Sequence, residues 1–155
     1  MTPPRPLAKF RIYPEGHTLY YRVCIFTTVQ QMRTYLKEKD FPSINHSRIL
    51  GRYGKAMCTS WMQIDFSGKG RPGRYRPILG EIVFAKRWFG AEVIAHECTH
   101  AAVAYARRRK FTPMSREGPR KRPNDVTNDE ERFCKVLGWL VRQIATQGRK
   151  RKIIS

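Results

Sequence analysis

Acidic residues are scarce in this 155-residue chain: 12 Asp and Glu stand against 31 Lys and Arg, a formal net charge of +19. An excess of that size repels itself and favours a polyanion nearby, DNA or RNA or an acidic protein. No CxxC pair occurs either. Cys24, Cys58, Cys98 and Cys134 are widely spaced, which argues against a ribbon-type structural zinc site and a disulfide framework, and fits buried, reduced thiols. No stretch reaches the length of a membrane span. The opening MTPPRPLAKF lacks the apolar core of a secretory signal, so the cytoplasm is the expected compartment. A hydrophobic fraction of 41% and an aromatic fraction of 12% predict a folded body of one domain.

Residues 1–9 are basic and proline-rich and are expected to form a flexible arm. Residues 10–147 form the expected domain, and the basic run from 148 to 155 a mobile tail. TLYYRVCIFTT (18–28) is dense in β-branched and aromatic residues and predicts a strand. A helix over 28–40 follows, with Val29, Met32, Tyr35 and Leu36 at helical spacing and Thr27 or Thr28 as cap. Two further strands are expected at 55–66 and 77–85. Between them lies SGKGRPGRYRP, which lacks the lysine-serine ending of a phosphate-cradling loop and reads as a connection. A long helix is predicted from Gly90 to Lys110, ending in RRRK, where the helix dipole favours cations. After a proline-rich basic loop, 111–128, the last helix (129–146) carries an apolar stripe through Phe133, Val136, Leu137, Leu140, Val141 and Ile144, with Thr127 or Asn128 as cap. The expected fold class is α+β: a small, mainly antiparallel sheet packed on the two long helices.

Within the long helix, VIAHECTHAAVA (93–104) interrupts apolar and small residues with two histidines, a glutamate and a cysteine. Residues i and i+4 share a helix face, so His96 and His100 can hold one Zn2+ ion. Glu97, about 100° round the helix, can reach a water on that zinc without ligating it and act as general base. If this helix is buried, its ionisable cluster carries a heavy desolvation cost that a metal offsets. Ala101, Ala102 and Ala104 permit close packing of another element.

A catalytic zinc needs a third protein ligand and an open fourth position. His17 and His46, the other histidines, lie far upstream in turn-like surroundings. NDEERFCKVLG (128–138) offers Asp129, Glu130 and Glu131 instead. On an ideal helix Glu130 falls about 50° from the mean direction of the apolar stripe and Glu131 about 150° away. Glu130 also shares a face with Cys134 and Gly138, small residues that would let the two helices approach. Glu130 is the expected third ligand, and Glu131 an outer acceptor or an anion favoured by the helix dipole.

VIAHECTHAA followed by EERFCKVLGWL resembles the zincin metallopeptidases, specifically gluzincin-like ones, and looks most like compact zincin-like proteins of bacteriophages and mobile elements. SprT-like proteases are a more distant likeness, sharing the basic character but having a Cys-rich ribbon that is absent here. The metzincin extension with its third histidine is also missing. The resemblance covers roughly residues 80–145. It implies a zincin-like domain, zinc held by two histidines and a glutamate of a following helix, and an edge strand that pairs with peptide substrate, for which GEIVFA (80–85) is placed. Families of this kind differ in which glutamate of an acidic pair binds zinc, which keeps Glu131 as an alternative.

The expected activity is peptide-bond hydrolysis, with a protein or peptide substrate and no membrane partner. Charge adds possible DNA or RNA contact through Arg107, Arg108, Arg109, Lys110, Arg120, Lys121 and Arg122. The alternative is a nucleic-acid-associated binding protein with a structural or vestigial zinc, and a hydrolase of non-peptide amides is a third reading. An oxyanion-stabilising group is not identified. Tyr105 is expected to point elsewhere, and arginines of the 107–122 run are candidates.

Overall fold

The computed structural model describes residues 4–38, 56–60, 77–111 and 128–154. The elements run β1 (Ala8–Ile12), β2 (Tyr20–Phe26), α1 (Val29–Glu38), β3 (Ala56–Ser60), β4 (Ile78–Ala85), a 3-10 turn (Lys86–Trp88), α2 (Ala91–Arg109) and α3 (Asn128–Lys150). The class is α+β. The strands form one sheet in the order β1-β2-β4-β3. β1 and β2 are antiparallel, as are β3 and β4, but the central pair β2–β4 is parallel. The sheet is therefore mixed, which corrects the mainly antiparallel expectation. The physical reason is burial on both faces. Every residue of β4 and all of β2 except Arg22 are buried, the pattern of strands sandwiched between helices. A helix-bearing crossover such as the one containing α1 is what a parallel pair requires.

One sheet face carries α1, whose Met32, Tyr35 and Leu36 pack with Cys24, Phe26, Val83 and Ala85. Thr28 caps this helix, its Oγ1 accepting the Gln31 N–H at 3.1 Å. The other face carries α2 and α3 over the larger core, which includes Ile12, Val23, Ile82, Phe84, Ile94, Cys98, Leu140 and Ile144. The two helices run antiparallel. Arg132 near the start of α3 stacks over Phe111 beyond the end of α2 at 4.4 Å, and Gly148 near the end of α3 abuts Phe89 before α2. α2 stops at Lys110, which takes a left-handed conformation (φ 58). Phe111 then bonds back to the Ala106 carbonyl at 3.1 Å and turns into the core, a helix-ending geometry that usually uses glycine.

Both expected ends need correction. Ala8 and Lys9 belong to β1, where Ala8, Phe10 and Ile12 are buried and Lys9 and Arg11 exposed, so the arm is shorter than 1–9. At the other end α3 runs to Lys150, and Ile153 and Ile154 pack against the core. Arg149 and Lys150 suit the helix terminus because the dipole there favours cations. Strand residues expected at 61–66 and most of the loop 111–128 lie outside the described residues, as does Thr127.

Candidate metal centre

α2 lays one face on the core through Ile94, Cys98, Ala101, Ala102, Tyr105 and Ala106. His96 and His100 fall on the opposite face and are exposed. This corrects the premise that the whole cluster is buried. Of its three ionisable groups only Glu97 is enclosed, with 6% of its surface exposed, so the desolvation cost falls on the carboxylate. The two imidazoles stand one turn apart as their spacing requires, with Nε2 atoms 3.2 Å from each other and ring centroids 4.8 Å apart. Two nitrogen ligands at about 2.0–2.1 Å from a tetrahedral zinc lie about 3.3 Å from each other. The pair therefore fits the group its sequence implies.

Burial pushes the Glu97 carboxyl above its ordinary value, opposed by His96 and by a hydrogen bond with the Cys58 backbone. Burial, then the neighbouring His96 ring, holds His100 below its ordinary value of 6.5. That favours the neutral imidazole, the form that ligates metal. On the core side, the Tyr21 hydroxyl donates to the Ala101 carbonyl at 2.9 Å, tying α2 to β2 beside His100.

The Cys58 contact brings β3 to the site. Among the described residues β3, not β4, is an edge strand of the sheet, which corrects the assignment of GEIVFA to that role. β4 is enclosed between two paired strands, and every one of its residues is buried.

No group of three His, Cys, Asp or Glu side chains capable of holding a metal converges among the described residues. The structure pairs His96 with His100 and encloses Glu97 at the intervening position, and Glu130 does not join them in a ligand set. Tyr105 and Arg132 both reach Glu15 at 2.7–2.8 Å. Glu130 is half-buried. The buried stripe of α3 is Val136, Leu140, Ile144 and Gly148, about 60° from Glu130 and about 160° from Glu131. Glu131 is exposed and pairs with Lys135 at 3.4 Å. Cys134 and Gly138 are exposed too, so they do not form the close approach to α2 and Cys134 is not a buried thiol. His17 is exposed and meets the Tyr13 ring edge-on at 5.7 Å, while His46 lies outside the described residues.

Two polar clusters escaped the sequence reading. Glu81 is fully buried in β4, where Arg22 pairs with it at 2.6 Å and the Tyr35 hydroxyl donates to it at 3.0 Å. Glu15, in the turn between β1 and β2, binds Arg132 and the Tyr105 hydroxyl, so Tyr105 does turn away from the histidines. The only available signal for either was an acid within an apolar or turn segment, and its partners are far away in sequence. Arg107, Arg109 and Lys110 are exposed and Arg108 half-buried; Arg120, Lys121 and Arg122 lie outside the described residues. Among the described residues no helix is long and apolar enough to cross a membrane. Compared with family models, with characterised proteins and with solved structures, the chain matches none.

Proposed function

We propose that the chain is a zinc-dependent metallopeptidase with a zincin-like domain spanning about residues 8–154. The observation that carries this reading is the pair of imidazole Nε2 atoms 3.2 Å apart on an open helix face, with a buried carboxylate at the intervening position. His96 and His100 would hold the metal, and Glu130 is the third ligand we assign. Its placement requires the first turn of α3 to draw toward His100, a movement that a helix terminus, with few intrahelical bonds of its own, can make. Bound zinc supplies a Lewis acid and lowers the pKa of a coordinated water to about 7.

The chain's own residues do the rest. Enclosure raises the proton affinity of Glu97, which suits a group that must take a proton from the attacking water and return it to the leaving amine. The Cys58 backbone holds that carboxylate in orientation. β3, an edge strand among the described residues, lies beside it and would offer the backbone groups an extended peptide can pair with.

The test is proteolysis of an unfolded protein substrate by the zinc-loaded chain. Glu97→Gln should keep its zinc and lose about 10²–10⁴-fold in kcat. Full activity in that variant would eliminate the mechanism. Glu130→Gln should weaken zinc binding beyond the 10–100-fold typical of an outer-shell group, and Glu131→Gln should not. The reverse result would move the third ligand to Glu131.

A second reading, a nucleic-acid-associated protein with a structural zinc, is favoured by the net charge of +19 and by the exposed Arg107, Arg109 and Lys110. It expects salt-dependent binding to DNA or RNA that survives metal removal. A buried carboxylate beside the histidines argues for the catalytic reading, since a structural zinc needs no general base.

A further inference from the structure

A cavity of about 690 Å³ opens between the outer face of α3 and the turn joining β1 to β2, away from the histidine pair. Its rim is held on both sides. Gln143 accepts from the Tyr13 N–H at 3.0 Å and donates to the Tyr13 carbonyl at 2.8 Å, and Arg132 grips Glu15 through two bonds of 2.7 Å. Gly16, at φ +62, makes the turn between them. Trp139 lines this cavity and is 45% exposed, which leaves its indole accessible to a ligand in the cavity. The Arg142 guanidinium lies 5.7 Å from the Trp139 ring centre.

The charges are arranged along the same face. Glu15 is neutralised by Arg132, and Glu131 is paired with Lys135. Arg142 has no carboxylate partner among the described residues. From Arg132 to the C-terminus the chain contains no acidic residue. Lys135, Arg142 and Arg149 recur every seven residues, which places them in one line at intervals of about 10.5 Å with Trp139 between the first two. A line of cations beside an exposed aromatic ring fits a flexible polyanion carrying flat apolar rings.

We propose that this groove binds single-stranded nucleic acid, with an unpaired base stacked on Trp139 and the phosphates following Lys135, Arg142 and Arg149. A duplex keeps its bases stacked on each other and gains nothing from the indole. An acidic peptide would use the cations but not the ring. The proposal does not rest on the metal centre, and its test reads binding alone.

The experiment is fluorescence anisotropy of a labelled 15-nucleotide oligo-dT with the full chain, repeated with zinc removed and over a range of salt. Trp139→Ala should weaken binding roughly 5- to 150-fold, the effect of one lost stacking partner, with the salt dependence unchanged. Trp139→Phe should restore most of the affinity. Arg142→Gln should lower the slope of log K against log salt by about 0.7, one phosphate contact on a single strand. Lys37→Gln, on α1 across the sheet, removes the same charge and should change affinity less than twofold. Circular dichroism confirms that each variant is folded. Three results would overturn the proposal: no binding at low salt, equal losses for Arg142→Gln and Lys37→Gln with none for Trp139→Ala, or duplex bound as tightly as single strand. A fourth is that Trp139→Ala abolishes self-association of the chain, measured by light scattering, and leaves oligonucleotide binding intact.

Discussion

Two glycines of α3 should respond in opposite directions to one substitution. Gly138 is exposed, and a methyl group added there would meet nothing within 4 Å. Gly148 is buried, and the same methyl would stand 2.6 Å from Cε1 of Phe89 and 3.1 Å from Ile154. Phe89 cannot easily yield, being only 4% exposed and held edge-on against Phe84 at 5.0 Å. Gly138→Ala should gain the helix-propensity difference of about 0.5–1 kcal/mol. Gly148→Ala gains less, being in the last turn, and meets an overpacking cost of about 1–3 kcal/mol. The net loss should be about 1–2 kcal/mol. For a domain of this size that corresponds to a Tm higher by about 1–4 °C for Gly138→Ala and lower by about 2–8 °C for Gly148→Ala. Thermal and urea unfolding read both values. Equal stabilisation by the two variants would refute the α3–Phe89 packing, and with it the antiparallel placement of α3 on α2 that positions Glu130.

Glu81→Gln should cost about 3 kcal/mol in urea unfolding, because it strands the Arg22 guanidinium, whose side chain is only 27% exposed. Adding Arg22→Met should recover most of that loss, and an uncorrected loss in the double variant would show that the pair is not the cause. Glu15 is held below its ordinary value of 4.5 chiefly by the Arg132 hydrogen bond, against the effect of burial and with help from Tyr105. A depressed acid adds stability above its unfolded pKa and loses it as pH falls through the folded one. Glu15→Gln should therefore flatten the decline in urea midpoint below about pH 4.5, and an unchanged acid limb would count against the bridge. Burial and then Glu15 push the Tyr105 phenol up to about 12, so Tyr105→Phe should remove a component of the ultraviolet tyrosinate titration near that pH, while Tyr35, pushed higher still by burial, stays silent there.

The helices were legible because their apolar residues recur at 3.6 spacing and their ends carry caps and cations. α1 keeps its expected Thr28 cap, and α2 ends within a residue of the expected position. The parallel centre of the sheet was hidden because continuous apolar runs such as PILGEIVFA state that a strand is buried, not which neighbour it pairs with. β1 was masked by its setting. Three short apolar positions, Ala8, Phe10 and Ile12, alternate with basic ones inside a segment whose prolines and charge suggested an arm. The HExxH pair was readable since i and i+4 geometry is local. Its surroundings were not. Which side of α2 meets the core, which strand supplies the Cys58 backbone, and how far Glu130 stands from His100 all depend on long-range packing. The same limit applies to Trp139, whose exposure follows from which face of α3 lies on α2.

Whether His96 and His100 hold a metal ion is decided by zinc titration of the apo chain, followed by calorimetry. One zinc per chain is expected in the wild type, retained in Glu97→Gln and lost in both His96→Ala and His100→Ala. Zinc bound with equal affinity and stoichiometry after either histidine is removed would contradict it.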